Sequence, residues 1–510
     1  MSNTRNSIAY HYHERTKYAP ETIASKGKSL DWQNQPLPYK EYKIGTNFDL
    51  KSYLSDRSLD LAESDNLQWF RLSKLLLCSY GLTAKLQTVY GDPLYLRSAP
   101  SAGGLYPAEV YLVVRNNAWL PAGLYNYQAN THSLIHFWSS EVWSDLKSAC
   151  FNHPILDKVE IAIVTTAIFY RSAWRYEDRA YRRIFLDTGH LLGNIELAAS
   201  INNYRAYLIG GFKDKAMNEL LYLDSQQEGV MSIVPLLDLN KTSVPDERGK
   251  TVLPSPIQLD YPQIADGELL NYLHQATEIE KLESAVASSP PADNSLEDKY
   301  NFPFCTKVST KTTQPIAWGT DLAKLENTIL ERRSTRAYTG KSLTLDELKY
   351  LLDFTYQPQN YQEQGLDSSP DYFTLDLIET FIAVSGVVGL EEGCYYYAPV
   401  AEELRQIRFK NFRQELHYLC LGQNLGRDAG AIVFQTADLT KAVELYGDRV
   451  YRYLHMDAGH LGQRLNLAAI RLGLGVSGIA GFFDDLVNQV LGIPPEEAVI
   501  YLTTLGRPRT

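Results

Sequence analysis

Three guanidinium groups and two hydroxyls fall within six residues at Glu331-Arg332-Arg333-Ser334-Thr335-Arg336. Arginine forks give paired, charge-assisted hydrogen bonds to phosphate oxygens at about 1.5 to 3 kcal/mol each, whereas an unliganded arginine cluster mostly repels itself. The segment suits a phosphate, with a solvated basic turn as the alternative. Far upstream, Arg97-Ser98-Ala99-Pro100-Ser101-Ala102-Gly103-Gly104-Leu105-Tyr106-Pro107 sets small residues in front of a strand-like Val110-Tyr111-Leu112-Val113-Val114. Small side chains let backbone N–H and C=O groups come close to a flat ligand, with an ordinary Gly-Gly turn as the alternative. Gly473-x-Gly475-x-x-Gly478 mimics a dinucleotide fingerprint but follows a helical pattern and leads into a strand, the reverse of that context. His11-Tyr12-His13-Glu14 carries ligand-type side chains without a second cluster to close a metal site, and reads as a mobile tail. No metal is expected.

The elements that must position these residues come in two copies. Asp178-Arg179-x-Tyr181-Arg182 returns as Asp448-Arg449-x-Tyr451-Arg452, a shift of 270 (448 − 178). The same shift carries Gly123-x-Tyr125-x-Tyr127 onto Gly393-x-Tyr395-x-Tyr397, Gly189-His190 onto Gly459-His460 and Gly211-Phe212-x-Asp214 onto Gly481-Phe482-x-Asp484. Sixteen of the 39 positions from 176 to 214 are identical under it, against about two or three by chance, so the chain is an internal duplication. Recurrence of His190 and His460 mid-helix marks them as packing histidines. Leu454, Ala458, Leu461, Leu465 and Ala468 follow helical spacing, as a buried face requires. With strands at Val110–Val114 and Ile161–Thr165 and connections too short for helical crossovers, an α+β fold with antiparallel strands is expected. Ser288-Ser289-Pro290-Pro291 is too polar and Pro-broken for a core, so residues 271–316 read as a linker between domains at 1–270 and 317–510.

At 510 residues, 45% apolar and 21% charged, the chain is long enough for two cores. Its net charge of −11 offers no broad cationic surface to nucleic acid. The first twenty residues lack a signal-peptide pattern and no apolar run is long enough to span a membrane, so a cytoplasmic protein is expected. Five scattered cysteines without a C-x-x-C pair read as free thiols.

Four segments, in order and spacing, resemble the nitroreductase superfamily, specifically the SagB-type azoline dehydrogenases that include the cyanobactin thiazoline oxidases. They are Arg332-Arg333-Ser334-x-Arg336, Pro100 to Pro107, Trp174-Arg175-Tyr176-x-x-Arg179-x-Tyr181-Arg182 ahead of Asp187-x-Gly189-His190, and Gly478-Ile479-Ala480-Gly481-Phe482. The resemblance implies two FMN-dependent nitroreductase-like domains packed as an intrachain pseudo-dimer, with flavin lying across the interface. It places Arg332, Arg333, Ser334, Arg336 and Arg507 on the phosphate side, Ala480 and Gly481 along the ring, and Pro100, Ser101 and Gly103 on the loop from the first half. In the second half that loop becomes Pro370-Asp371-Tyr372-Phe373-Thr374. In the first half the arginine cluster shrinks to Arg57-Ser58 before Leu59-Asp60, so one competent FMN per chain is expected. The family's Lys-Tyr base pair is Arg175-Tyr176 here and Leu445-Tyr446 in the second copy. Tyr176, helped by the Arg175 cation, is then the expected base.

The implied reaction is oxidation of thiazoline or oxazoline to thiazole or oxazole in an azoline-containing precursor peptide of ribosomal origin, with dioxygen as a possible electron acceptor. A homodimer of whole chains stays open. The alternatives are an NAD(P)H-dependent nitro, quinone or flavin reductase and a flavin-free peptide-binding scaffold.

Overall fold

A computed structural model describes residues 5–24, 29–55, 64–87, 93–245, 249–281, 296–312 and 314–509. Each half builds one seven-stranded antiparallel sheet. In the first, β1 (Thr46–Asp49), β2 (Ala108–Val114), β3 (Gly123–Gln128), β4 (Ser133–Trp138), β5 (Ile161–Ile168), β6 (Tyr204–Ala206) and β7 (Glu228–Asp238) lie in the order β1-β4-β3-β2-β5-β7-β6. In the second, β8 (Lys307–Ser309), β9 (Glu379–Val384), β10 (Gly393–Ala398), β11 (Glu403–Arg408), β12 (Ala431–Asp438), β13 (Gly475–Ile479) and β14 (Glu497–Gly506) repeat it as β8-β11-β10-β9-β12-β14-β13. Register is copied too: Leu112 pairs Tyr125 as Ile382 pairs Tyr395, and the sheets slip at matching places, Thr165/Thr166 with Gln435/Thr436 and Leu124/Tyr125 with Cys394/Tyr395. The expected duplicated α+β fold is the one observed.

Two central helices, Ala180–Ile201 and Val450–Arg471, are buried nearly throughout, including the predicted face at Leu454, Ala458, Leu461, Leu465 and Ala468. They cross at Gly189 and Gly459. A Cβ on Gly189 would sit 2.1 Å from the Met456 carbonyl oxygen and one on Gly459 2.3 Å from that of Leu186, a reciprocal contact like that of a two-fold dimer. One hydrophobic core consequently runs through both halves, with a smaller cluster on the far side of each sheet.

Among the buried ion pairs that join the halves, two clusters mirror each other. Asp484 takes Arg179 and Arg182 at 3.0 and 2.7 Å, and Asp214 takes Arg449 and Arg452 at 2.7 and 2.9 Å. Burial opposes ionisation of Asp484, yet the two guanidiniums hold its carboxyl below the ordinary range. Such a cluster offsets its desolvation only while every partner is present.

The reading of His11-Tyr12-His13-Glu14 as a tail is corrected. Residues Ile8–Thr16 form a helix with Tyr12 and His13 buried, and Arg182 donates to the His13 carbonyl and the Thr16 hydroxyl. Helix Leu269–Ala276 does the same for the other half, where Arg452 donates to the His274 carbonyl and the Thr277 hydroxyl. This second pairing runs at a shift of 261 (274 − 13) and covers only a short helix, which is why the 270-residue repeat hides it. The helix also crosses the boundary expected at 270/271, and Thr277 and Ile279 are buried, so the first residues of the 271–316 segment are packed structure. At its other end Lys307–Ser309 forms edge strand β8. Ser288-Ser289-Pro290-Pro291 and the Arg57-Ser58 segment lie outside the described residues.

Candidate functional site

The loop ahead of β2 is held by Asp187 of the first central helix. Its carboxylate accepts from the Ser101 hydroxyl at 2.6 Å and the Ala102 amide at 3.1 Å, and Ser101 in turn accepts from the Tyr106 amide at 2.9 Å. Burial raises the Asp187 carboxyl to about 7 against the pull of these donors. Gly103 turns the loop with φ of +67°, and a Cβ there would stand 2.7 Å from the Tyr176 hydroxyl and 3.4 Å from Arg175 Cδ. The loop thus meets Arg175-Tyr176, with Pro100 and Ser101 half-buried and Gly103 and Arg175 exposed.

The arginine cluster comes to this loop from the other half, but its members divide their work. Arg332 is buried and donates to the carbonyls of Ser98 at 2.7 Å and Arg97 at 3.0 Å; among the described residues its Nη1 has no partner, nor does the buried Ser98 hydroxyl. Burial, with Arg333 and Arg336 nearby, depresses the Arg332 pKa to about 10. Arg333 grips Thr83, donating to its hydroxyl at 3.1 Å and its carbonyl at 3.2 Å. Thr335 zips the segment onto β13, exchanging bonds with Val476 at 2.8 and 3.0 Å. Arg507, expected on the phosphate side, is committed instead to both Glu347 carboxylate oxygens at 2.8 and 2.7 Å, where Glu347 also completes the capping box with Thr344. That leaves half-buried Ser334 and exposed Arg336 as the cluster members open to an anion.

Ala480 and Gly481, at the end of β13, close the other side. The Ala480 carbonyl accepts from Arg179 at 3.4 Å and from Arg183 at 3.3 Å, and the Arg183 guanidinium lies 3.8 Å over the Tyr176 ring. Sequence reasoning missed Arg183, although it breaks an otherwise repeated run: its counterpart is Tyr453. The expected activation of Tyr176 is corrected. Burial raises its hydroxyl above the ordinary phenol value, and Arg183 and Arg175 do not offset that.

The pseudo-symmetric place in the other seam is full. Phe373 stands where Gly103 would be and stacks on Tyr453 at 5.4 Å, while Tyr372 stacks on His460 at 4.4 Å. A Cβ on Gly210, the counterpart of Ala480, would meet Phe373 at 2.8 Å and Tyr453 at 2.7 Å, and one on Gly211 would meet Leu253 at 2.4 Å. Chain 251–255 lies across the opening, bonded through Thr251 to Gly210 and through Ser255 to Tyr446. The first seam keeps Gly103, Arg175 and Arg336 exposed and Ser334 half-buried, an arrangement suited to a flat ligand with an anionic end. The second offers packed side chains.

Comparison with known proteins agrees with this architecture. The Nitroreductase family model matches residues 71–236 and 329–507, once in each half. A crystal structure from Anabaena variabilis described as a nitroreductase is 64% identical with a TM-score of 0.93, covering 99% of this chain and 100% of that one. A Methanocaldococcus jannaschii protein named as a nitroreductase is 33% identical over 184 residues, 36% of this chain and 91% of its own. The trifolitoxin-processing protein TfxB of Rhizobium leguminosarum is 33% identical over 168 residues, 31% of this chain and 44% of its own, so less than half of that relative is matched. With both halves matched, the chain belongs to the nitroreductase family.

Proposed function

We propose that this chain is a flavin-dependent oxidoreductase that holds one FMN in the open seam and converts thiazoline or oxazoline rings of a modified peptide to thiazole or oxazole. The observation that carries the cofactor reading is Arg332, which crosses onto the loop of the other half and keeps a buried Nη1 without an acceptor among the described residues. A buried polar group left unpaired costs about 1 to 3 kcal/mol, so a ligand carbonyl reaching Arg332 Nη1 would be favoured. FMN, when bound, would supply two-electron acceptance that none of the side chains assigned to this seam provides.

The chain's own residues do the rest. Ser334 and Arg336 offer donors to the phosphate, Pro100, Ser101 and Gly103 give the ring a shelf of small residues, and Ala480 and Gly481 border it. Tyr176, kept protonated by burial, donates a hydrogen bond to a substrate heteroatom at neutral pH, with Arg175 beside it at the exposed mouth. The name of the trifolitoxin-processing relative supports a maturation step on a peptide product. The motif resemblance supports azolines as the rings and dioxygen as terminal acceptor.

The test is incubation of the FMN-loaded protein with an azoline-containing peptide, read by mass spectrometry for loss of two hydrogens without any nicotinamide. Bleaching of the flavin by NADH with no change in the peptide would instead favour a reductase, and a protein colourless after FMN addition would favour a scaffold. Arg332→Leu is expected to lose flavin and about 3 kcal/mol of stability, because it strands the Ser98 and Arg97 carbonyls; thermal denaturation checks it.

A further inference from the structure

The seams differ at one more pair of positions, brought by the segments that follow the two docked short helices. After Thr16 the chain forms a parallel bridge with the turn behind Gly481, Tyr18 beside Phe483: the Tyr18 amide donates to the Asp484 carboxylate at 2.9 Å and the Asp484 amide to the Tyr18 carbonyl at 3.3 Å. After Thr277 the same backbone pattern recurs, with the Ile279 amide on Asp214 at 2.8 Å and the Asp214 amide on the Ile279 carbonyl at 3.2 Å. One scaffold therefore presents a half-exposed tyrosine to the open seam and a buried isoleucine to the filled one. The partner position changes in step: Arg183 in the open seam, Tyr453 in the filled one. Arg183 stands between two phenols, 3.8 Å over the Tyr176 ring and against Tyr18, whose ring lies 4.2 Å from the Arg179 guanidinium.

Resting on the azoline reading, we propose that Tyr18, backed by Arg183, is the catalytic base of the open seam, while Tyr176 stays protonated. The groups facing Tyr18 agree with this. Burial alone would raise its phenol, but Arg183, Arg179 and Arg182 of the central helix outweigh it and bring the pKa below the ordinary value. Asp484 opposes them, yet it is already paired with Arg179 and Arg182, and Lys17 is paired with Glu14 and Asp485. Tyr176, across Arg183, is neutral. In the reaction, a ring C–H bond breaks and its proton forms an O–H bond on the Tyr18 phenolate. The electron pair left behind becomes the new ring double bond, as hydride leaves the adjacent carbon for the oxidised flavin. A base on an arm outside the repeated domains explains how the site tolerates arginine where the family resemblance leads one to expect lysine.

The experiment has two arms, of which the first needs no substrate. In protein carrying ¹³Cζ-tyrosine, NMR titration should show a phenol ionising below pH 10 that Tyr18→Phe removes, Tyr176→Phe leaves in place, and Arg183→Met moves upward. The second arm measures turnover of an azoline peptide. Tyr18→Phe should lower kcat by about 100-fold or more, erase that ionisation from the kcat profile, and leave flavin content and KM unchanged. A low-titrating phenol that survives Tyr18→Phe, or full turnover with an unaltered pH profile, overturns the proposal. If the wild-type protein oxidises no azoline, the functional reading fails while the NMR arm still decides whether Tyr18 is the activated phenol.

Discussion

The seam lined by Gly103 and the seam lined by Phe373 are built by the same elements in the same order, and both hang on a buried aspartate. Asp187 holds Ser101 and Ala102, while Asp457 holds the amides of Phe373 at 2.9 Å and Thr374 at 2.6 Å. What differs is whatever would touch a ligand. One side has Gly103, Arg183 and Tyr18; the other has Phe373, Tyr453 and Ile279, with Leu253 pressed against Gly211. The scaffold is present twice, because the central helices, the ion clusters and the loop anchors stabilise the pair as one core. The ligand-facing groups are present once. The filled seam is thus an internal control for which residues serve stability and which serve the ligand.

The sharpest way to break that comparison is to copy the filled seam onto the open one. Gly103→Phe puts a ring where a Cβ already meets the Tyr176 hydroxyl at 2.7 Å, at a φ that costs a non-glycine residue about 1 to 2 kcal/mol. Flavin binding, followed by absorbance of the purified protein, should be abolished while the fold persists. Unchanged yellow colour would mean the ligand does not lie on this loop. The reverse change, Phe373→Gly with Leu253→Gly, should only open a cavity and lose several kcal/mol, since no arginine arrangement like that of Arg332 faces it among the described residues.

The repeat, the α+β class and the antiparallel order were legible because a 270-residue shift preserves both hydrophobic pattern and turn glycines. That the Gly103 loop and Arg175-Tyr176 belong to the same half was legible only through the family resemblance; their contact is read from the structure. Three things were not legible. Arg507 looks free in sequence, but the capping box that starts at Thr344 places Glu347 within reach of it. Tyr176 next to Arg175 reads as an activated phenol, whereas burial depth, which no local pattern encodes, outweighs both neighbouring cations. Tyr18 was hidden by length: helix Ile8–Thr16 spans nine residues, and its copy sits at a different offset.

A smaller effect tests whether the scaffold is shared equally. Burial raises both Asp187 and Asp457 to about 7, far above the ordinary 3.8. A carboxyl with a raised folded-state pKa keeps its proton where the unfolded chain has released it. It therefore stabilises fully below about pH 4, and that contribution is lost as pH rises to about 7, on the order of 2 to 4 kcal/mol per group. Asp187→Asn and Asp457→Asn should each flatten the stability–pH curve across this window by a similar amount, read from urea midpoints. A slope that answers to one variant alone would mean that the two anchors are not equivalent.

The smallest effects separate the arginines that sequence had grouped. Arg336 is exposed, so Arg336→Ala should leave stability within about 0.5 kcal/mol. As an open cation beside Ser334, however, its loss should weaken FMN binding by about tenfold or more, matching one charge-assisted bond. Arg507→Ala should do the opposite. It removes a partly exposed pair with Glu347, worth about 1 kcal/mol or less, and leaves cofactor affinity unchanged because both terminal nitrogens are already spent. Equal losses of affinity in the two variants would require Arg507 to leave Glu347 when the phosphate arrives. The anion site would then be assembled on binding, unlike the preformed Gly103 shelf it adjoins.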